Sequence, residues 1–142
     1  MFKTLRFQWP AILWAMLVLI LCDLPTSDLP SAERFFEGFD KMAHLGFFFV
    51  LTVFLFYGKI RQQNSFNYRI LTIIKIVLIN IILGGGIELL QWKVFTYRSA
   101  EWWDFFADMV GLGMGVFSYL LLHRSFYVMK RRVKSKQHEE AN

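Results

Sequence analysis

The 142-residue sequence is poor in charge and has one cysteine. Only 19% of its residues are charged, whereas 56% are hydrophobic and 18% are aromatic, and the mean hydropathy is +0.39. The single cysteine, Cys22, excludes an internal disulfide framework and a cysteine-based zinc cluster. No internal repeat or long linker is visible, so one domain is expected. So much apolar bulk exceeds what a soluble core of this length can bury, and the composition predicts a membrane protein.

Four apolar runs divide the chain, and tryptophan or tyrosine residues lie at their ends, as expected for the headgroup region of a bilayer. A helix needs about 20 residues to cross the hydrocarbon core. The third and fourth runs have this length, and a bilayer accommodates the two shorter runs by thinning locally. The predicted fold is an all-α, four-helix transmembrane bundle over 1–124 followed by a basic tail over 125–142. Its spans are expected at about 7–24, 42–57, 70–92 and 102–123.

Lysine and arginine are distributed unevenly over the segments that connect these spans. Because such residues concentrate on the cytoplasmic side of a membrane, we predict that both termini and the tail are cytoplasmic. The tail is expected to lie near anionic headgroups, and no nucleic-acid partner is expected. The bases on the predicted cytoplasmic side are Lys3, Arg6, Lys59, Arg61, Arg69, Arg124, Lys130, Arg131, Arg132, Lys134 and Lys136.

The N-terminal region allows a second interpretation. Residues 1–22 have a basic start and a short apolar core, as a cleaved signal peptide has, and the stretch "LILC" resembles a lipoprotein cleavage box. Leu21 is bulky where a small residue is required, so an uncleaved first span is expected. The following stretch "SAERFFEGF" is expected to form a short amphipathic helix on the outer surface, with Ser31 as its N-cap.

Polar residues occur at one depth of this predicted bundle. The stretch "DKMAH" opens the second span, "ELLQ" ends the third and "WWDFFAD" opens the fourth, so all three fall in the outer half of the membrane. Within each stretch the polar residues are three or four apart, which places them on one helix face. A carboxylate that faces lipid costs at least a few kcal/mol, so these groups should point inward. The predicted pocket contains Asp40, Lys41, His44, Glu88, Gln91, Arg98, Asp104 and Asp108.

Glycines lie at a similar depth on the third and fourth spans. Small residues let membrane helices approach closely. An antiparallel hairpin of these two spans would bring the two groups of glycines face to face. The glycines predicted to pack helices are Gly84, Gly85, Gly86, Gly111 and Gly115.

The motifs "DKMAHLGFF", "GGGIELLQ" and "WWDFFADMVGLGMG", with Arg98 before the last, resemble the VanZ-like family of small bacterial membrane proteins. That family has Asp-Lys-x-x-His at the start of one span, Glu-x-x-Gln at the end of the next, and an arginine before Asp-x-x-x-Asn-x-x-Gly. The resemblance implies a multi-pass protein of the bacterial cytoplasmic membrane, in a family associated with glycopeptide resistance whose members mostly have no assigned chemistry. The matching positions are Asp40, Lys41, His44, Glu88, Gln91, Arg98, Asp104 and Gly111.

Asp108 departs from this family pattern, which has asparagine at the equivalent place. A second carboxylate beside Asp104 requires an additional cation or favours a proton on one of the two groups. The charge of the predicted pocket therefore differs from that which the resemblance implies.

Two functions remain open from the sequence. The first is binding of a lipid headgroup, an envelope precursor or a glycopeptide-like ligand, with basic residues meeting phosphate or carboxylate and acidic residues meeting amines or hydroxyls. The second is an intramembrane enzyme that acts on a lipid-linked envelope substrate with His44 and Glu88 as acid and base. No nucleophile stands out in the cluster, because Cys22 lies on another span, so binding is preferred.

Other roles have less support in the residues. A small transporter ranks third, because four spans are few for a carrier. No metal or cofactor is predicted, since one histidine and no cysteine in the cluster make a poor zinc-binding set. Membrane lipids are the expected partners, and the sequence gives no oligomeric state.

Overall fold

The computed structural model describes residues 2–23, 38–63, 69–94 and 101–140, and within these ranges it contains four α-helices and no strand. Each helix is long and apolar enough to cross a membrane. Over the described residues, the prediction of an all-α fold with four helices suited to span a membrane is therefore confirmed. The sidedness of the termini stays a prediction, and the stretch expected to be amphipathic lies almost entirely outside the described residues. The helices are α1 (Phe2–Asp23), α2 (Phe39–Gln63), α3 (Ile70–Lys93) and α4 (Trp102–Glu140).

The helices α1, α2 and α4 extend beyond the predicted apolar runs. The second run was expected at 42–57, but α2 has 25 residues and continues through a polar stretch that ends at Gln63. Lysine, arginine and glutamine are good helix formers, so the helix persists where hydropathy falls. Likewise α4 continues without a break from its apolar part, Trp102–Ser125, into the basic tail.

The helix α2 lies at the centre of the bundle. It packs most extensively against α4 and also against α1, and α3 contacts all three other helices. Over the described residues the backbones of α1 and α4 do not approach each other closely. The helices α1 and α3 end, and α2 and α4 begin, at the same end of the bundle, which we call the polar end.

A tight core joins the helices away from the polar end. The rings of Phe56 and Tyr119 stack at a centroid distance of 4.0 Å, which fixes α2 against α4. The hydroxyl of Thr52 lies 3.2 Å from Oδ1 of Asn80, a side chain with no exposed surface, and joins α2 to α3. Large apolar side chains such as Ile82, 72% exposed, face outward. This arrangement suits lipid surroundings, because a bilayer accepts apolar side chains on the outside of a bundle.

The glycines of α4 pack against α2. A Cβ atom at Gly111 would overlap the backbone oxygen of Leu45, and one at Gly115 would lie 2.6 Å from the Cβ of Thr52. The expectation that these glycines face those of α3 is therefore wrong. Positions 104, 108, 111 and 115 follow one helical stripe. A stripe whose acidic residues meet α2 therefore presents its glycines to α2 as well.

The glycines of α3 differ in how closely other helices approach them. A Cβ at Gly84 would lie 2.9 Å from Oδ2 of Asp108, so this glycine makes room for that carboxylate. At Gly85 the nearest atom would be 4.0 Å away, and at Gly86 nothing lies within 4 Å. Only Gly84 of these three permits a close approach between α3 and α4.

Candidate functional site

At the surface of the polar end, the ammonium group of Lys41 lies among three carboxylates. Its Nζ lies 2.8 Å from Oε2 of Glu101, 3.2 Å from Oδ2 of Asp40 and 3.3 Å from Oδ1 of Asp104. Asp40 and Asp104 belong to the first turns of α2 and α4, where the helix dipole favours a negative charge. Oxygens of the three carboxylates lie within 4.8 Å of one another, and Lys41 is the cation that bridges them.

Glu101 and Glu88 connect the end of α3 to the start of α4. The backbone oxygen of Glu101 accepts the N–H of Asp104 at 3.0 Å, so Glu101 caps α4. The backbone N–H of Glu101 donates to Oε2 of Glu88 at 3.0 Å. Glu101 was not among the predicted site residues, although its position three residues before Asp104 places it on the same helix face.

A buried pair lies one turn below Lys41. Nδ1 of His44 is 2.9 Å from Oδ1 of Asp108, and these residues are 2% and 0% exposed. With Asp108 ionised, Nδ1 carries the hydrogen of this bond and the imidazole keeps its other nitrogen for a second partner. The pair therefore fixes the orientation of the ring between α2 and α4.

The last turn of α1 joins the site through its backbone. Cys22, the penultimate residue of α1, is only 2% exposed. The Nε2 of Gln91, a residue with no exposed surface, donates to the backbone oxygen of Cys22 at 3.0 Å. Gln91 is thus directed at α1, whereas it was expected to face Lys41 and His44.

Cys22 was missed because the depth argument was applied to three spans and not to the first. Cys22 is the penultimate residue of α1, and α1 ends at the polar end. Counting back from the end of α1 places Cys22 at the polar end of the bundle. This signal was present in the sequence.

Some acceptors in this site lack a donor. Among the described residues, Oε1 of Glu88, Oε1 of Gln91 and Oδ2 of Asp108 are buried without a hydrogen-bond partner. A buried acceptor without a donor costs about 1–3 kcal/mol. The site therefore has hydrogen-bonding capacity that its own described groups do not use.

The predicted pocket residues are mostly brought together. Asp40, Lys41 and Asp104 meet at the surface of the polar end, and His44 and Asp108 meet below it. Glu88 joins them through Glu101, and Gln91 lies beside them but faces α1. Arg98 lies outside the described residues.

Comparison with protein-family models, with curated proteins and with solved structures finds no match to this chain. The resemblance to the VanZ-like family therefore stays a prediction from the motifs.

Proposed function

We propose that this chain is a multi-pass protein of the bacterial cytoplasmic membrane that binds a polar headgroup at its polar end, in the outer half of the bilayer. The ligand presents an ammonium group or other hydrogen-bond donors. A membrane lipid, a lipid-linked envelope precursor and a glycopeptide-like molecule all meet this description. The proposed role is binding, without a reaction assigned to the headgroup site.

The observation that carries this proposal is that carboxylates outnumber basic groups at the polar end. Lys41 and His44 are the basic partners, among the described residues, of a cluster formed by Asp40, Glu88, Glu101, Asp104 and Asp108. Charge-assisted bonds from an ammonium group suit carboxylate acceptors. A headgroup that carries an ammonium group therefore fits this site better than a purely anionic one.

A purely structural network explains this site less well. The bonds of Lys41 and the His44–Asp108 pair already hold α2 and α4 in register. The second oxygens of Glu88 and Asp108 are buried without a hydrogen bond among the described residues, a cost in stability that a purely structural network would not need. Even if the guanidinium of Arg98 joins the cluster, three basic groups face five carboxylates.

The alternative enzyme with His44 and Glu88 as acid and base has one supporting observation. His44 is oriented by Asp108 in the manner of a general base. Glu88 is engaged by the backbone N–H of Glu101 and is not the group that orients the ring. An acid–base pair of these two residues is therefore the second candidate.

Photo-crosslinking tests headgroup binding. The full chain in phospholipid vesicles is exposed to diazirine-labelled phosphatidylethanolamine or phosphatidylglycerol, and labelled peptides are identified by mass spectrometry. We expect phosphatidylethanolamine to label α2, α3 and α4 near the polar end more strongly. Glu88→Gln should weaken that labelling, and Glu139→Gln, which removes an acid near the C-terminus, should not.

Equal labelling by the two lipids, or labelling that Glu88→Gln leaves unchanged, would contradict the proposal. The free energy of unfolding of each variant is measured in parallel. If labelling falls only in proportion to stability, the cluster is structural.

A further inference from the structure

We propose that an apolar groove between α1 and α3 binds one acyl chain of a membrane lipid. This inference adds an acyl-chain site to the headgroup site at the polar end. It rests on the proposed function only for the identity of the headgroup, and it makes the ligand of this chain a lipid and not a water-soluble molecule.

The groove has a buried floor and an exposed rim. Its volume is about 480 Å³. Leu51 and Leu55 of α2 and Ala11 of α1 line it and are at most 8% exposed, so they form its floor. Ile12 of α1 and Ile82 of α3 also line it and are 42% and 72% exposed, so they form its rim. The bundle therefore closes the floor, and the open side faces the lipid around the bundle.

Small residues create this groove. Ala11 and Ala15 line it on α1, and Gly86 lines it on α3. A Cβ atom at Gly86 would meet nothing within 4 Å, whereas one at Gly84 would lie 2.9 Å from Oδ2 of Asp108. Gly86 was predicted to pack helices, but it leaves open space beside α3 where any other residue would place a side chain.

The lining of the groove suits hydrocarbon. Every residue that lines it is aliphatic or glycine except Gln8. Nε2 of Gln8 donates to the backbone oxygen of Leu55 at 3.3 Å, and a Cβ at Gly58 would lie 2.6 Å from its Oε1, so this amide packs against α2. A polar occupant of the groove would therefore lose its hydrogen bonds to water with little in return.

The dimensions of the groove favour an acyl chain over a helix of another protein. From Gln8 to Leu19 its lining rises about 16 Å along α1, close to the thickness of one leaflet of the hydrocarbon core, about 15 Å. The volume spread over this length gives a cross-section of about 30 Å². A helix with its side chains is about 10 Å wide and needs more than twice that area. A polymethylene chain has no side chains and is thinner.

The groove begins close to the headgroup site. Leu19 is four residues before Asp23, the last residue of α1, and therefore lies about 6 Å from the polar end. Leu19 and Leu83 line the groove and pack against a buried cluster that consists of Val18, Cys22, Phe48 and Ile87. A lipid whose headgroup lies at the polar end can thus place one acyl chain in the groove.

Photo-crosslinking from within the acyl chain tests this site. The full chain is reconstituted with phosphatidylethanolamine that carries a diazirine near the middle of one acyl chain. It is irradiated in vesicles and after solubilisation in dodecyl maltoside, which removes lipid that only surrounds the bundle. We expect the label on Ile12 and Ile82 to persist in detergent, with a single lipid per protein molecule. The label on Phe117 and Leu122, which are exposed on α4 and do not line the groove, should disappear.

A side chain at position 86 should block the groove. Gly86→Leu fills open space and introduces a better helix former, so it should leave the free energy of unfolding unchanged or raise it. We expect several-fold less label on Ile12 and Ile82 in detergent. Gly113→Leu is the matched control, because a Cβ there also meets nothing within 4 Å but Gly113 does not line the groove. The free energy of unfolding is measured for each variant, and Gly86→Ala, which should reduce the label less, decides the matter if Gly86→Leu does not fold.

Loss of the groove label in detergent together with the label on α4, or a groove label that neither change at Gly86 reduces, would overturn the acyl-chain site. Phosphatidylglycerol with the same labelled chain separates this site from the headgroup proposal. A groove label that depends on Gly86 but is equal for the two lipids supports the acyl-chain site and contradicts the headgroup proposal. A preference for phosphatidylethanolamine without any effect of Gly86 does the reverse.

Discussion

His44 and Asp108 meet at 2.9 Å across the interface between α2 and α4, and neither side chain is more than 3% exposed. The pair fixes both the rotation and the translation of α4 against α2. With Asp108 at His44, Asp104 one turn earlier on α4 meets Lys41, and Gly111 one turn later meets the backbone of α2 at Leu45. The buried His44–Asp108 contact thus fixes how α4 is aligned with α2, both at the carboxylate cluster around Lys41 and at the glycines that pack on α2.

Removal of this carboxylate should destabilise the bundle. Asp108→Ala leaves His44 buried without its partner, and we expect it to lower the free energy of unfolding by about 3 kcal/mol. Asp108→Asn keeps an oxygen that accepts the N–H of His44, so it should cost about 1 kcal/mol. Denaturant titration in detergent micelles measures both, with Ser118→Ala on α4 as the control. Equal losses for the two changes at position 108 would show that the hydrogen bond contributes little.

Alanine substitutions at the glycines of α4 allow packed positions to be compared with an open one on the same helix. Gly111→Ala and Gly115→Ala place a methyl group against Leu45 and Thr52, and each should lower the free energy of unfolding by about 1–3 kcal/mol because the helices must separate. A Cβ at Gly113 meets nothing within 4 Å, so Gly113→Ala should cause no loss. The same unfolding titration checks all three. A loss at Gly113 as large as at Gly111 would contradict the packing of α4 on α2.

Helical periodicity predicted which residues share a face but not which neighbour that face meets. Asp104 and Asp108 were expected on one stripe near Lys41 and His44, and the structure places them there. The glycines on that stripe were assigned to α3 because α3 precedes α4 in the chain. Adjacency in the chain does not decide packing in a bundle whose central helix is α2.

The other differences between the predicted site and the structure have a similar cause. Gln91 and Glu88 are three residues apart, yet Gln91 bonds to α1 and Glu88 to the start of α4. A helix in the interior has neighbours on several sides, so residues on one face can be divided between two partners. The bond from Gln91 to the backbone of Cys22 required knowing that α1 ends beside α3, which no motif in the sequence states.

The sidedness of the bundle can be measured directly. The distribution of lysine and arginine predicts that the N-terminus, the connection at 64–68 and the C-terminus are cytoplasmic. Alkaline phosphatase fused after Asn142 or inserted at 64–68 should therefore be inactive, and a green fluorescent protein at the C-terminus should fluoresce. Active phosphatase at both positions would place the polar end in the inner half of the membrane and would contradict the proposed outer-leaflet site.

Access to the thiol of Cys22 should depend on Leu19, which lines an apolar groove of about 480 Å³ between α1 and α3. Its side chain lines the groove and packs against the buried cluster that contains the thiol, so Leu19→Ala removes part of the barrier between them. We expect several-fold faster alkylation of Cys22 by N-cyclohexylmaleimide, an apolar reagent that partitions into lipid. Leu13→Ala is the control, because Leu13 lies on the same helix, is 57% exposed and does not line the groove. If both variants react at the rate of the wild-type chain, the route of the reagent to the thiol does not pass Leu19.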